Sequence, residues 1–303
     1  WAHCAIPGGS AHAHQEALRK MPARVELRLC LLEMFLSTIW VFCSAGSMVA
    51  SNSCVPSCMM IGKTGMGNHT VDMAAMACPP PTTPIVVSLA TGFAAAVISG
   101  LSFSESTGKA FDTVKDISEA TTSGAYFNPA VTLGMATRSY LLPHRLFTYI
   151  ASQLVGSVLG ALLLLGVVGR ACVADAFDAS RTSTLPFGSR VLMQATVTVL
   201  VVLVHLWAHA KAMFKGTPIL VGFAYIAASL VCAHLSSEVP NLLRSFGLAS
   251  VGAGPWDAAG VVAAGSVCGG LAAALADALV FEERLWSPQR EPSEADVESS
   301  ASS

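Results

Sequence analysis

Charged side chains are scarce in this chain of 303 residues. Asp, Glu, Lys and Arg make up 12% of it, whereas soluble domains carry about 25%. Apolar residues make up 53% and the mean hydropathy is +0.60, which argues against a disordered chain, a collagen and a soluble enzyme. So few charges cannot cover a globular surface of this size. The class that fits is a polytopic membrane protein.

Signals of covalent chemistry and of nucleic-acid binding are also lacking. The formal net charge is −2, without the basic excess typical of nucleic-acid-binding proteins. The sequence shows no nucleophile triad, metal-ligand cluster or phosphate-binding loop. It therefore predicts a protein that is not an enzyme, with no catalytic residue, cofactor, metal or nucleic-acid partner.

Six apolar stretches are long enough to cross a membrane. Each has 19 to 24 residues, and about 20 helical residues cross the ~30 Å hydrocarbon layer. An even number of spans places both termini on the same side. The predicted spans are residues 29–50, 85–103, 146–169, 191–209, 217–235 and 258–281.

The distribution of Lys and Arg predicts the orientation of the chain. Twelve lie in the N-terminal segment, the second and fourth connections and the C-terminal tail, against five in the other connections. Because positive residues favour the cytoplasmic side, both termini are expected in the cytoplasm. Residues 1–28 then form a cytoplasmic segment, 29–281 the membrane domain, and 282–303 an acidic, disordered tail. The plasma membrane and an internal organelle membrane both remain open.

The long outer connection, residues 51–83, carries a modification signal and most of the outer cysteines. Asn68-His69-Thr70 matches the acceptor pattern for N-glycosylation. Four cysteines fall on the predicted outer side and allow three disulfide pairings, which stay open. They are Cys54, Cys58, Cys78 and Cys172.

Two other connections contain apolar segments that are too short to span, residues 123–134 and 238–247. Asn128 and Asn241 each stand where a helix N-cap belongs, and Pro129 suits the first helical position. Both segments follow the second span of a three-span half, so the sequence contains a hidden repeat.

The repeat predicts an inverted architecture. Glu33 and Gln194 occupy matching places in the first spans of two halves, residues 29–169 and 191–281. Three spans and one half-helix per copy require the second copy to insert upside down. Non-helical backbone at membrane depth must line a cavity or be buried in protein, so the two short helices predict a pore.

The segment from Ser123 to Gly134 reads SGAYFNPAVTLG and resembles the first Asn-Pro-Ala box of the aquaporins, the major intrinsic protein family. Arg244-Ser245-Phe246-Gly247 is similar to the residues that follow the second box. The resemblance covers about residues 28 to 281. It implies an all-α membrane fold with six transmembrane helices and two re-entrant half-helices in an inverted repeat. The chain departs from the family in its second box, Asn241-Leu242-Leu243, and at Gln194, where a second buried Glu is usual.

The resemblance implies a pore midplane at the two boxes, where the carboxamides of Asn128 and Asn241 donate hydrogen bonds to passing water. The positive ends of the half-helices repel cations at the same depth. The alternative is that both Asn residues are only helix caps. A Leu pair in place of Pro-Ala narrows or reshapes the pore centre. The remaining midplane residues are Pro129, Ala130, Leu242 and Leu243.

An outer selectivity filter is implied at Thr91, Ser229, Glu238 and Arg244. Small residues at Thr91 and Ser229 favour a wide filter that passes glycerol, urea, ammonia or peroxide in addition to water, whereas Ser245 replaces the Asp typical of glycerol facilitators. Arg244 either donates to solute oxygens or forms a structural salt bridge with Glu238, and the two roles are compatible.

Other residues inside the spans are interpreted as structural. Glu33 and Gln194 are expected to accept hydrogen bonds from loop amides that lack helical partners. Glycines spaced by four predict close helix packing: Gly156, Gly160, Gly265 and Gly269. Polar and aromatic residues at the end of the fourth span are interpreted as interfacial anchors: His205, Trp207 and His209.

These features together predict a passive channel for water and small uncharged solutes, held in a lipid bilayer. The resemblance implies a homotetramer with one pore per subunit. Two alternatives stay open. One is a non-conducting membrane scaffold or adhesion protein that keeps the fold, and the other is an ion-conducting pore, suggested by Glu238 in the filter.

Overall fold

The structure is a computed structural model that describes residues 23–51, 84–101, 124–177, 185–210, 216–235 and 238–281. The predicted tail, the glycosylation signal at Asn68 and the cysteines Cys54, Cys58 and Cys78 lie outside the described residues. Every regular element within the described ranges is helical.

Six long helices coincide with the six predicted spans, and two helices of nine residues each coincide with the predicted half-helices. The predicted all-α architecture is therefore confirmed. One further short helix, α5, was not predicted, and Cys172 lies in it. The helices in chain order are α1 Ala23–Ser51, α2 Pro84–Leu101, α3 Pro129–Thr137, α4 Pro143–Val168, α5 Arg170–Ala176, α6 Phe187–Ala210, α7 Thr217–Leu235, α8 Leu242–Ser250 and α9 Trp256–Ala276.

Four of these helices, α1, α4, α6 and α9, are long and apolar enough to cross a membrane. Helices α2 and α7 contribute shorter apolar stretches, Ile85–Leu101 and Thr217–Cys232. The outward faces carry large apolar side chains, among them Phe147, which is 72% exposed. Such a surface is unstable in water and suits lipid, so the chain is an integral membrane protein.

The helices pack as an inverted pair of halves. Helix α1 packs on α4, α6 packs on α9, and α2 and α7 pack on each other between the halves. Each half-helix also packs against a long helix of the opposite half. Helix α3 of the first half packs on α9 of the second, and α8 of the second half packs on α4 of the first. The half-helices are thereby enclosed by the long helices, and their N-termini meet inside the protein.

Glycines permit the closest helix contacts. A Cβ atom on Gly156 would collide with the Met34 carbonyl oxygen of α1, and one on Gly269 would lie 2.5 Å from the Ala195 carbonyl oxygen of α6. In addition, the Thr38 hydroxyl donates to the Gly156 carbonyl at 3.0 Å. Since no side chain fits at these crossings, the third span of each half lies directly against the backbone of the first span.

The end of α3 is tied to the end of α9. Arg138 caps α3, and its Nε donates to Asp277 Oδ2 at 2.8 Å. Asp277 begins the π-helical turn Asp277–Phe281 that continues α9. This partly buried ion pair fixes the first half-helix against the last long helix.

Candidate functional site

The two half-helices begin with the same cap geometry. Asn128 has φ −155° and ψ 118°, and its Oδ1 accepts from the Ala130 amide at 3.0 Å. Asn241 has φ −156° and ψ 118°, and its Oδ1 accepts from the Leu243 amide at 3.1 Å. The Asn side chain sets this start in both copies. Leu242 therefore takes the place of Pro129 at the first helical position without changing the backbone of the cap.

The same two side chains join the half-helices to each other. Asn128 Nδ2 donates to the Pro240 carbonyl at 3.1 Å, and Asn241 Nδ2 donates to the Phe127 carbonyl at 2.8 Å. Each Asn thus binds the residue that precedes the other Asn. This reciprocal exchange holds the two N-termini together, with their positive dipole ends at one depth.

Tyr225 of α7 reaches this junction with its hydroxyl group. Asn128 Nδ2 donates to the Tyr225 hydroxyl oxygen at 2.8 Å, and the same hydroxyl contacts the Asn241 side chain. Tyr225 is completely buried. A phenol from a spanning helix therefore lies between the two Asn residues that the sequence placed at the midplane.

An aromatic cluster surrounds that phenol. The Phe127 ring stacks on the Tyr225 ring with centroids 5.7 Å apart, and the Trp40 ring lies 6.0 Å from Tyr225. His205 packs edge-on against Phe127 at 6.4 Å and is only 7% exposed. The interpretation of His205 as an interfacial anchor is therefore wrong, because its ring faces the protein interior.

Sequence reasoning missed the aromatic cluster, although helical spacing offered a signal. Trp40 lies seven residues after Glu33, which places both on one face of α1. Tyr225 lies four residues before Ser229, on the same face of α7. A projection of each span onto its predicted inner face would have brought both aromatic residues to the junction of the half-helices.

Glu33 holds the loop before Asn128. Its Oε1 accepts from the Tyr126 amide at 3.1 Å, and its Oε2 accepts from the Phe127 amide at 2.9 Å. Gln153 Nε2 also donates to Oε2, at 2.7 Å. The loop needs such support because Ala125 and Phe127 have φ angles of 50° and 28°, in the left-handed region that costs side-chain-bearing residues energy.

Gln194 occupies the matching place in the second half, with a different contact. Its Nε2 donates to the Cys232 sulfur at 3.5 Å, and both residues are buried. Among the described residues of the second loop no φ angle is positive. A neutral side chain suits a loop that carries no such backbone strain.

The four residues assigned to the filter come from three helices and the loop before α8. Thr91 of α2 and Ser229 of α7 are buried, and the Thr91 hydroxyl donates to the Val87 carbonyl at 2.7 Å. Arg244 of α8 is 2% exposed, and its guanidinium lies 5.5 Å from the centre of the Phe177 ring. This distance is within the range of a cation–π contact.

Glu238 forms an ion pair that the sequence did not suggest. Its Oε1 lies 2.6 Å from Arg190 Nη2, and Arg190 Nη1 lies 2.6 Å from Asp257 Oδ2. Arg190 lies in the first turn of α6 and thus joins the loop before α8 to the start of α9. The negative charge of Glu238 is therefore compensated inside the protein.

Residues 20–277 of the sequence match the profile described as "Major intrinsic protein". The chain belongs to the major intrinsic protein family. Two half-helices with reciprocal Asn caps, packed in an inverted repeat, agree with that assignment. Within this family the chain keeps the first box and varies the second.

Several members of the family are similar to the chain. It is 35% identical over 158 residues to "Aquaporin TIP4-4" of Zea mays, covering 50% of this chain and 61% of the relative. It is 32% identical over 134 residues to "Aquaporin-6" of Rattus norvegicus, covering 43% of this chain and 48% of the relative. It is 32% identical over 165 residues to "Neurogenic protein big brain" of Drosophila melanogaster, covering 54% of this chain and 23% of the relative. These matches span less than two thirds of each relative.

A solved structure has the same fold. The X-ray structure of the aquaglyceroporin from Plasmodium falciparum aligns with a TM-score of 0.58 at 14% identity, covering 86% of this chain and 98% of the other. At this identity the likeness establishes the major intrinsic protein fold and leaves the choice of solute to the side chains.

Proposed function

We propose that the chain is a passive transmembrane channel for water and small uncharged solutes such as glycerol or urea. The observation that carries the proposal is the junction of Asn128 and Asn241, whose caps and reciprocal hydrogen bonds hold two helix N-termini face to face inside the protein. Positive potential at this depth opposes cations and proton relay. Family membership supports the same function.

The solute is selected at Thr91, Ser229, Glu238 and Arg244 in this proposal. The proposal rests on residue type: the small hydroxyl side chains of Thr91 and Ser229 and the guanidinium donors of Arg244 suit a polyol or a urea. The ion-conducting alternative rested on the charge of Glu238. The Arg190 partner, 2.6 Å away, compensates that charge and supports passage of neutral solutes.

The orientation and assembly belong to the proposal as well. The protein lies in the plasma membrane or in an internal organelle membrane. Both termini lie on the cytoplasmic side, because Lys and Arg concentrate in the segments on that side. Four copies form a homotetramer with one pore per subunit. Cross-linking in native membranes and protease access to the two termini test these statements.

The test of the solute range is osmotic swelling of proteoliposomes. Wild-type protein should pass water faster than bare lipid and should also pass glycerol or urea. The double variant Thr91→Phe with Ser229→His should lose glycerol flow by about tenfold and lose much less water flow. Thr196→Phe is the matched control, because Thr196 lies on the exposed face of α6. Wild-type water flow without glycerol or urea flow would refute the wide filter alone.

A non-conducting scaffold is the second candidate function. It is favoured by the aromatic filling of the midplane, where Trp40, Phe127 and Tyr225 are completely buried. The similarity to the big brain protein is consistent with a role other than transport. Swelling no faster than in bare lipid, with correctly folded protein, would support this candidate.

A further inference from the structure

The hydrogen-bond donors at the midplane are engaged by the protein itself. Each carboxamide nitrogen carries two hydrogens. Those of Asn128 meet the Tyr225 hydroxyl and the Pro240 carbonyl. Asn241 Nδ2 donates to the Phe127 carbonyl, and the Asn241 side chain also interacts with Tyr225. The Tyr225 hydroxyl oxygen therefore lies where a water oxygen would accept from both Asn residues.

The space at this depth is filled as well. Asn128, Asn241, Tyr225, Trp40 and Phe127 all have 0% of their surface accessible to solvent. A continuous file of water along these side chains would leave part of each surface accessible. The described residues thus close the path at the junction of the half-helices, whatever the width of the filter outside it.

Among the three aromatic residues, Tyr225 is the one whose polar group occupies the Asn donors. Phe127 belongs to the loop whose amides Glu33 clamps, so its backbone is fixed. Trp40 makes ring contacts with Phe127 and Tyr225 and does not occupy the Asn donors. The Tyr225 hydroxyl is held by neutral carboxamides, and such bonds exchange for water at small net cost.

We infer that Tyr225 is the residue that closes the midplane and sets the conduction rate. Water passes when the phenol leaves the Asn128 and Asn241 carboxamides, whose donors then bind the permeating molecule. The inference rests on the proposed channel function and names the side chain that limits the rate of water passage. It also explains how the family's Asn pair and a filled midplane coexist in one chain.

The experiment measures osmotic water flow in proteoliposomes at equal protein density for wild type, Tyr225→Val, Tyr225→Leu and Tyr225→Phe. Removing the ring should raise water flow at least fivefold in the Val and Leu variants. The Phe variant keeps the ring but loses the hydrogen bonds that hold it to the Asn carboxamides, so its water flow should rise less than that of the Val and Leu variants. Tyr149→Val is the matched control, since Tyr149 is another buried tyrosine of a spanning helix, packed on Tyr126. It should stay at the wild-type rate.

The outcomes separate this inference from the channel function. Wild-type flow above bare lipid with equal flow in the Val and Leu variants would overturn the role of Tyr225 and leave the channel standing. No flow in any folded variant would overturn both and support the scaffold. A fivefold rise in the Tyr149 control would also overturn the inference, because general loosening would then explain the effect. Size-exclusion profiles and helical circular dichroism establish folding for each variant. The Leu variant removes less side-chain volume than the Val variant and so disturbs the packing less.

Discussion

The buried carboxylate of Glu33 fixes the loop that presents Asn128, and Glu33→Gln tests how much that support contributes. Two loop amides and Gln153 Nε2 donate to its two oxygens at 2.7 to 3.1 Å. Glutamine offers one oxygen only. If that oxygen accepts from the Phe127 amide and Gln153 Nε2, as Oε2 does, the new NH₂ group takes the place of Oε1. The Tyr126 amide then faces another donor and has no acceptor.

The expected loss of stability follows from these contacts. One buried amide left without an acceptor costs about 1–3 kcal/mol. The two remaining bonds lose their charge, which weakens each by about 1 kcal/mol. Burying a neutral amide in place of a carboxylate offsets part of the loss, so we expect a net destabilisation of about 3 kcal/mol. The left-handed backbone at Ala125 and Phe127 then gains freedom to relax.

The measurement is thermal unfolding in detergent, where about 3 kcal/mol corresponds to a decrease in Tm of about 5–10 °C. The control is Glu26→Gln on the same helix. Glu26 Oε1 lies 3.0 Å from His144 Nε2 and 3.1 Å from Arg145 Nη2, with its side chain 31% exposed. Although Arg145 is buried, solvent reaches the Glu26 carboxylate, so we expect the neutral substitution to cost about 1 kcal/mol. Equal Tm shifts in the two variants would refute the assigned role of Glu33.

Three further predictions concern the midplane and the helix seams. Asn128→Asp places a negative charge at the positive half-helix ends and should admit cations, measured as conductance in planar bilayers; unchanged cation exclusion would count against the site. Leu242→Pro with Leu243→Ala should fold, because the Asn241 cap already has the backbone of the Asn128 cap, and should conduct water near the wild-type rate, because Tyr225 sets that rate; a large rise in flow would show that the Leu pair narrows the pore instead. Gly156→Ala should lower the Tm through collision with the α1 backbone, whereas Gly166→Ala, with nothing within 4 Å of its Cβ, should not; equal Tm values would contradict the close crossing.

The spans, the half-helices and their inverted order followed from the sequence, because each depends on local information. Apolar length sets a span, an Asn before a short apolar run sets a cap, and an odd number of crossings per repeat sets the inversion. The matched placement of Glu33 and Gln194 was visible for the same reason. The identical caps at Asn128 and Asn241 show that the Asn side chain alone suffices, even where Leu242 replaces proline.

Only the tertiary structure decided which side chains meet at the centre. Tyr225 reaches Asn128 across 97 residues of sequence, and Glu238 meets Arg190 across 48, although Arg244 is its nearer neighbour in the chain. His205 turns toward Phe127 and away from the membrane interface. These contacts depend on the rotation of each helix about its axis, and packing against the other helices fixes that rotation. A uniformly apolar span has little periodic signal to specify it. The sequence therefore determined two half-helices within an inverted repeat, whereas helix packing determined that an aromatic ring fills the junction between them.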